Sequence, residues 1–148
     1  MSALPLNRIL IGDVRERLHE LPDASVDCII TSPPYFALRN YGHDDQLGAE
    51  PNVDAWAARI AAVCNDLARV LTPTGALWLN LGDGYSRHPR EGTSKKSLLL
   101  GPQRVALRLT LDRSQFCGHL GCRLPLIAAE VARGDTPSFY PGVQGSGR

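Results

Sequence analysis

The chain has 148 residues, 43% apolar and 21% charged, which is enough to enclose one core and excludes collagen, coiled coil and disorder as whole-chain descriptions. Sixteen Lys and Arg against fifteen Asp and Glu leave a net charge of +1, so a nucleic-acid or membrane partner would have to be met by a local patch. No apolar run is long enough for a membrane span and no signal core follows the N-terminus, so the four cysteines read as reduced thiols of a cytoplasmic protein.

Strands and helices alternate over residues 1–86, the pattern of a parallel α/β layer structure. Residues 7–11 form a short β-rich run closed by Gly12, and Asp13 then occupies a helix N-cap position, with Val14, Leu18 and Leu21 at helical spacing before Pro22. Residues 26–30 are a second β-rich run, stopped at Ser32-Pro33-Pro34 because proline has no amide proton to pair. Val53, Trp56, Ile60, Val63, Leu67 and Leu71 recur at intervals of three and four, which predicts a long helix. Thr72 to Gly75 breaks it, and residues 76–81 give a third strand that ends at Gly82-Asp83-Gly84. Pro102 suits the first turn of a helix carrying Val105, Leu109 and Ala106 inward. Beyond it the periodicity decays: residues 124–131 read as helical, and residues 137–148 as a mobile Pro/Gly/Ser-rich tail. The division expected is a catalytic part over residues 1–111 and an unmatched, partly disordered segment over 112–148.

Charge is unevenly spread. Residues 1–86 hold six basic and eleven acidic side chains, whereas residues 87–113 hold seven basic and two acidic ones. Arg87, Arg90, Lys95, Lys96, Arg104, Arg108 and Arg113, with His88 nearby, suit phosphate contacts, and a solvated loop and helix face is the equally weighted alternative.

The chemistry concentrates in Thr31-Ser32-Pro33-Pro34-Tyr35. A strand delivers a small hydroxyl, two prolines and an aromatic ring to its carboxyl end, where doubly wound sheets bind ligands. The Ser32 oxygen and the Pro33 carbonyl can accept hydrogen bonds from an exocyclic amine while Tyr35 stacks on the ring that bears it. Drawing those hydrogens toward fixed acceptors makes the nitrogen more tetrahedral and its lone pair more available, which suits methyl transfer.

This motif resembles that of the DNA amino-methyltransferases that modify cytosine N4 or adenine N6. Ile11-Gly12-Asp13, Leu21 to Asp27, Phe36 to Gly42, Leu71 to Gly75, Leu77 to Asp83 and, more loosely, Leu99 to Leu107 are similar too, in order, over about residues 7–110. The resemblance implies an incomplete doubly wound, Rossmann-like S-adenosylmethionine-dependent methyltransferase sheet. It also implies double-stranded DNA as substrate, with Ser32, Pro33, Pro34 and Tyr35 as the pocket for a flipped base. Serine rather than aspartate at position 32 tilts the target toward cytosine N4. Asp13 resembles the carboxylate that contacts the adenosyl part of the cofactor, a role balanced against simple helix capping. Asn80 and Asp83 either line the same crevice or form a turn. Lys95, Lys96 and Arg104 are the expected phosphate contacts.

In this arrangement the cofactor's glycine-rich strand end comes late, beyond a DNA-recognition region, and Gly145-Ser146-Gly147 has neither the strand before it nor the helix after it. The alternative to the catalytic portion of an enzyme is therefore a noncatalytic remnant, or one subunit of a split methyltransferase, completed by a cofactor-binding half. Cys117, His119 and Cys122 lie close together, but no fourth ligand is near in sequence, so no metal is expected. Cys28 and Cys64 read as small core residues.

Overall fold

The computed structural model describes residues 6–111 and the strand Leu126–Val131. The elements in chain order are α1 (Val14–Leu18), β1 (Val26–Thr31), α2 (Val53–Val70), β2 (Leu71–Asp83), α3 (Gly101–Leu111) and β3 (Leu126–Val131), with one 3-10 turn at Pro89–Glu91. The three strands form a parallel sheet in the order β1-β2-β3. An α/β architecture is therefore present, and each parallel pair is joined by a crossover that contains a helix.

The long helix begins where the side chain of Asn52 accepts the Ala55 amide at 2.8 Å, a cap for one of the donors that a first turn leaves open. Val53, Trp56, Ile60, Val63 and Leu67 of the predicted stripe are buried on α2, whereas Leu71, also buried, is the first residue of β2 and not part of the helix. At the other end Arg69 donates to the carbonyls of Leu18 and Leu21 and pairs with Asp23, which fastens the α1–β1 connection to α2. The break predicted at residues 72–75 is an irregularity inside β2: pairing with β1 passes from Leu71 opposite Val26 to Ala76 opposite Cys28. From there Leu77, Leu79 and Leu81 turn toward α2 and α3, and with Val105 and Leu109 they complete one core cluster. Ala106, expected beside them, is only partly buried.

Four expectations need correction. Residues 7–11 are not a strand, because no neighbouring strand among the described residues supplies a ladder for them. The helix after Asp13 stops at Leu18, with Leu18 buried and Val14 exposed. Residues 126–131 are strand and not helix: a short apolar run has the same pattern in either state, and pairing with Trp78 to Asp83 decides it. Cys28 is exposed, contrary to its reading as a core residue, while burial pushes the Cys64 thiol up to about 12. Among the described residues no helix is long and apolar enough to cross a membrane. The tail at 137–148 and the Cys117, His119 and Cys122 group lie outside the described residues.

Candidate functional site

Strand β1 ends at Thr31, and the next four residues turn out across the carboxyl end of the sheet. Ser32 is exposed, while Pro33, Pro34 and Tyr35 are half-buried. Together with Leu38, Arg39 and Tyr41 they line a cleft of about 350 Å³. The Ser32 hydroxyl and the Tyr35 hydroxyl are hydrogen-bonded at 3.2 Å, so these two oxygens face one another. No donor among the described residues reaches the Pro33 carbonyl.

Residues distant in sequence hold this turn in place. The Trp56 indole Nε1, on α2, donates to the Pro34 carbonyl at 2.9 Å. The Tyr35 ring lies against Gly82 at the end of β2, where a Cβ would sit 2.4 Å from the ring's Cε2. Only glycine leaves room for that contact. On its other side the Tyr35 carbonyl approaches Gly48, whose φ of 94° is itself a left-handed conformation suited to glycine. The Gly48 carbonyl accepts the Ala37 amide at 2.8 Å, and its amide donates to Glu50. Asp45 in the same loop is bound by Arg15 and Arg59, and the hydrogen bond from Arg15, with the charges of both arginines, lowers its pKa.

Asp83 stands one residue after Gly82. Its Oδ1 accepts the amides of Gly84 and Gly101, capping α3, while its buried Oδ2 has no partner among the described residues. Asp83, Tyr35, Phe36, Trp56 and Tyr85 line a second cleft, of about 520 Å³, that shares Tyr35 with the first. The site is thus built on the ends of adjacent parallel strands, β1 and β2.

Asp13 caps α1 by accepting the Arg15 amide at 2.8 Å, and both its oxygens are also engaged by the Arg15 guanidinium. That hydrogen bonding holds its carboxyl down at about 2. The cap and the ion pair satisfy this group within the chain.

The basic residues divide. After Tyr85, which bridges to Leu98, the chain makes a closed loop around the buried Ser86, whose hydroxyl donates to the carbonyls of His88 and Thr93. Lys95 and Lys96 are exposed on this loop and line a depression of about 580 Å³ with Tyr85, Arg87 and His88. Arg104 is on α3 and differs from them: it pairs with Asp54 at 2.6 Å and donates to the Leu99 carbonyl at 3.0 Å.

The family described as DNA methylase matches residues 26–120, which include both strand ends of the site and the basic loop. The chain belongs to the DNA methylase family. It is 42% identical to the Type II methyltransferase M.SfiI of Streptomyces fimbriatus over 70% of its own length. It is 47% identical to the Type II methyltransferase M.Cfr9I of Citrobacter freundii over 68%, and 40% identical to M.SmaI of Serratia marcescens over 71%. It spans only 27%, 41% and 43% of those three relatives, respectively. No solved structure matches it significantly.

Ser32, Pro33, Pro34 and Tyr35 come together as one cleft. Asp83 shares the neighbouring cleft with Tyr35, while Asn80 is exposed on β2. Trp56, Gly48 and Gly82 were missed as parts of the site. Gly82 carried a signal, a glycine at a strand end, which sequence alone reads equally well as a turn. No cluster of three metal-ligating side chains occurs among the described residues.

Proposed function

We propose that this chain carries the base-binding part of a DNA amino-methyltransferase, and that the cleft at Ser32 to Tyr35 takes the exocyclic amine of a base turned out of duplex DNA. The observation that carries this is the pairing of an exposed Ser32 hydroxyl and an unclaimed Pro33 carbonyl with a Tyr35 ring seated on Gly82. Two acceptors and a stacking face in fixed positions are what an aromatic amine needs to be held and polarised. With serine at position 32 the amine is cytosine N4. Lys95 and Lys96 contact DNA phosphates; Arg104, engaged by Asp54, holds α3 to α2 instead.

S-adenosylmethionine is the methyl donor this reading requires. The carboxylate expected to contact it, Asp13, is engaged at both oxygens by Arg15. The second reading is a DNA-binding part that is inactive until completed by other polypeptide.

Grafting residues 26–111 into the matching region of the Citrobacter freundii relative tests the pocket. The graft should methylate DNA, and Ser32→Ala should slow single-turnover methylation by about 10²-fold, the scale of losing one preorganised hydrogen-bonding group at a reacting centre. Tyr35→Ala should lose stacking worth about 1–3 kcal/mol. Duplex affinity should barely change in either variant. Full-rate methylation by both would rule the pocket out.

A further inference from the structure

The two walls of the cleft at Ser32 to Tyr35 meet at Ala37. Ser32, Pro33, Pro34 and Tyr35 form one wall, and Leu38, Arg39 and Tyr41 form the other. The first wall is pinned by the Trp56 indole at the Pro34 carbonyl. The second begins at the Ala37–Leu38 peptide unit, whose own tie to the turn is loose, since the Leu38 amide lies 3.5 Å from the Tyr35 carbonyl. Ala37 also has a left-handed φ of 52°, which a residue with a Cβ keeps only where its surroundings impose it. The Gly48 carbonyl takes its amide, and its carbonyl is held from 50 residues away, by Arg87 Nη2 at 2.8 Å.

Arg87 belongs to a segment with little freedom of its own. Its backbone amide donates to Glu91 Oε2 at 2.7 Å, and it follows the buried Ser86, around which the basic loop closes. Its side chain, by contrast, is 68% exposed. A single bond from an exposed guanidinium competes with water and must overcome the rotamer freedom of a long side chain, so alone it holds the Ala37–Leu38 unit weakly. The same guanidinium also lines the basic depression with Lys95 and Lys96. Of its five N–H donors, one goes to Ala37, Nε faces Glu91 at 4.0 Å, and Nη1 has no partner among the described residues. One edge of the plane can therefore take a phosphate oxygen while Nη2 keeps the carbonyl, and the charge-assisted bond to phosphate is the stronger kind.

We propose that Arg87 is a positioning residue: it takes a DNA phosphate together with Lys95 and Lys96 without releasing Ala37, so that contact with the DNA backbone fixes the second wall of the cleft. A phosphate that immobilises the guanidinium removes the freedom that otherwise opposes its bond to Ala37. Lysine cannot replace it, because an ammonium is a single point of charge and holds either the phosphate or the carbonyl. The proposal rests on the reading of the depression as a phosphate site and of the cleft as the base site.

Amide hydrogen exchange on the full chain, free and saturated with a short mixed-sequence duplex, reads this coupling without any methyl transfer. Duplex binding should slow exchange at Leu38 to Tyr41 roughly tenfold or more. Arg87→Lys should bind the duplex with the same dependence of log affinity on log salt and lose the slowing. Arg87→Ala should lose it too, and flatten the salt dependence by up to about 0.9. Circular dichroism should be unchanged in both, since the side chain is exposed. If Arg87 only braced the loop, either variant would speed exchange in the free chain and leave the ratio between bound and free chain as it was, which would overturn the proposal. Slowing retained by Arg87→Lys would mean that the duplex itself covers the wall. That result, or a duplex that binds the unaltered chain without slowing exchange, would overturn the proposal and leave the phosphate reading standing. An unaltered chain that binds no duplex would overturn both.

Discussion

The Pro34 carbonyl illustrates how the cleft depends on single partners. A Pro-Pro turn has no amide protons with which to organise itself, and the turn is fixed from outside by the Trp56 indole. Trp56→Phe keeps most of the ring packing and removes only the donor. It should lower stability by about 1 kcal/mol in denaturant titrations, and the graft described above should lose methylation rate as the turn loosens. Asp13 gives a second test. Its folded pKa of about 2 lies below the unfolded value, so the stability it contributes is complete above the ordinary carboxylate range and is lost as pH falls toward 2. Carboxyl NMR should show the Asp13 midpoint near 2, and Arg15→Ala, which removes the guanidinium but keeps the backbone amide cap, should raise it part of the way toward the ordinary range. An ordinary midpoint with Arg15 present would contradict the ion pair. The Ser32 to Tyr35 cleft was legible because its residues are contiguous. The partnerships of Trp56 with Pro34 and of Arg104 with Asp54 were not, since nothing local marks a contact between residues 22 or 50 positions apart.

At the scale of elements, the end of β2 is a seat for the Tyr35 ring. Gly82→Ala places a methyl inside the ring's contact distance, and overpacking of this kind costs about 1–3 kcal/mol. The melting temperature should fall, and base binding should weaken with it; an unchanged melting temperature would show that the ring moves aside freely. The basic loop and α3 should behave differently from each other. Replacing Lys95 and Lys96 by alanine should flatten the dependence of log affinity for DNA on log salt by up to about 0.9 per lost phosphate contact. Arg104→Ala should leave that slope unchanged and instead cost about 1 kcal/mol of stability through Asp54 and the Leu99 carbonyl. Helix α2 was legible over its whole length because its apolar stripe repeats many times. The strands were less so: the 7–11 run has β character and no ladder, and residues 126–131 have a ladder that no local pattern announces.

At the scale of the molecule, a sheet that the described helices cover on one face carries a cleft at the carboxyl ends of β1 and β2. The α/β class could be read from the alternation of elements, whereas the face that the helices cover could not, since it depends on the direction in which the crossovers run. The claim that joins these levels is that Ser32 to Tyr35 holds a base amine for methylation. Mass spectrometry of nucleosides from DNA incubated with S-adenosylmethionine and the graft into the Citrobacter freundii relative measures it directly. The predicted product is N4-methylcytosine, reduced about 10²-fold by Ser32→Ala. Methylation at cytosine C5, or N4-methylcytosine formed equally well by Ser32→Ala, would contradict it.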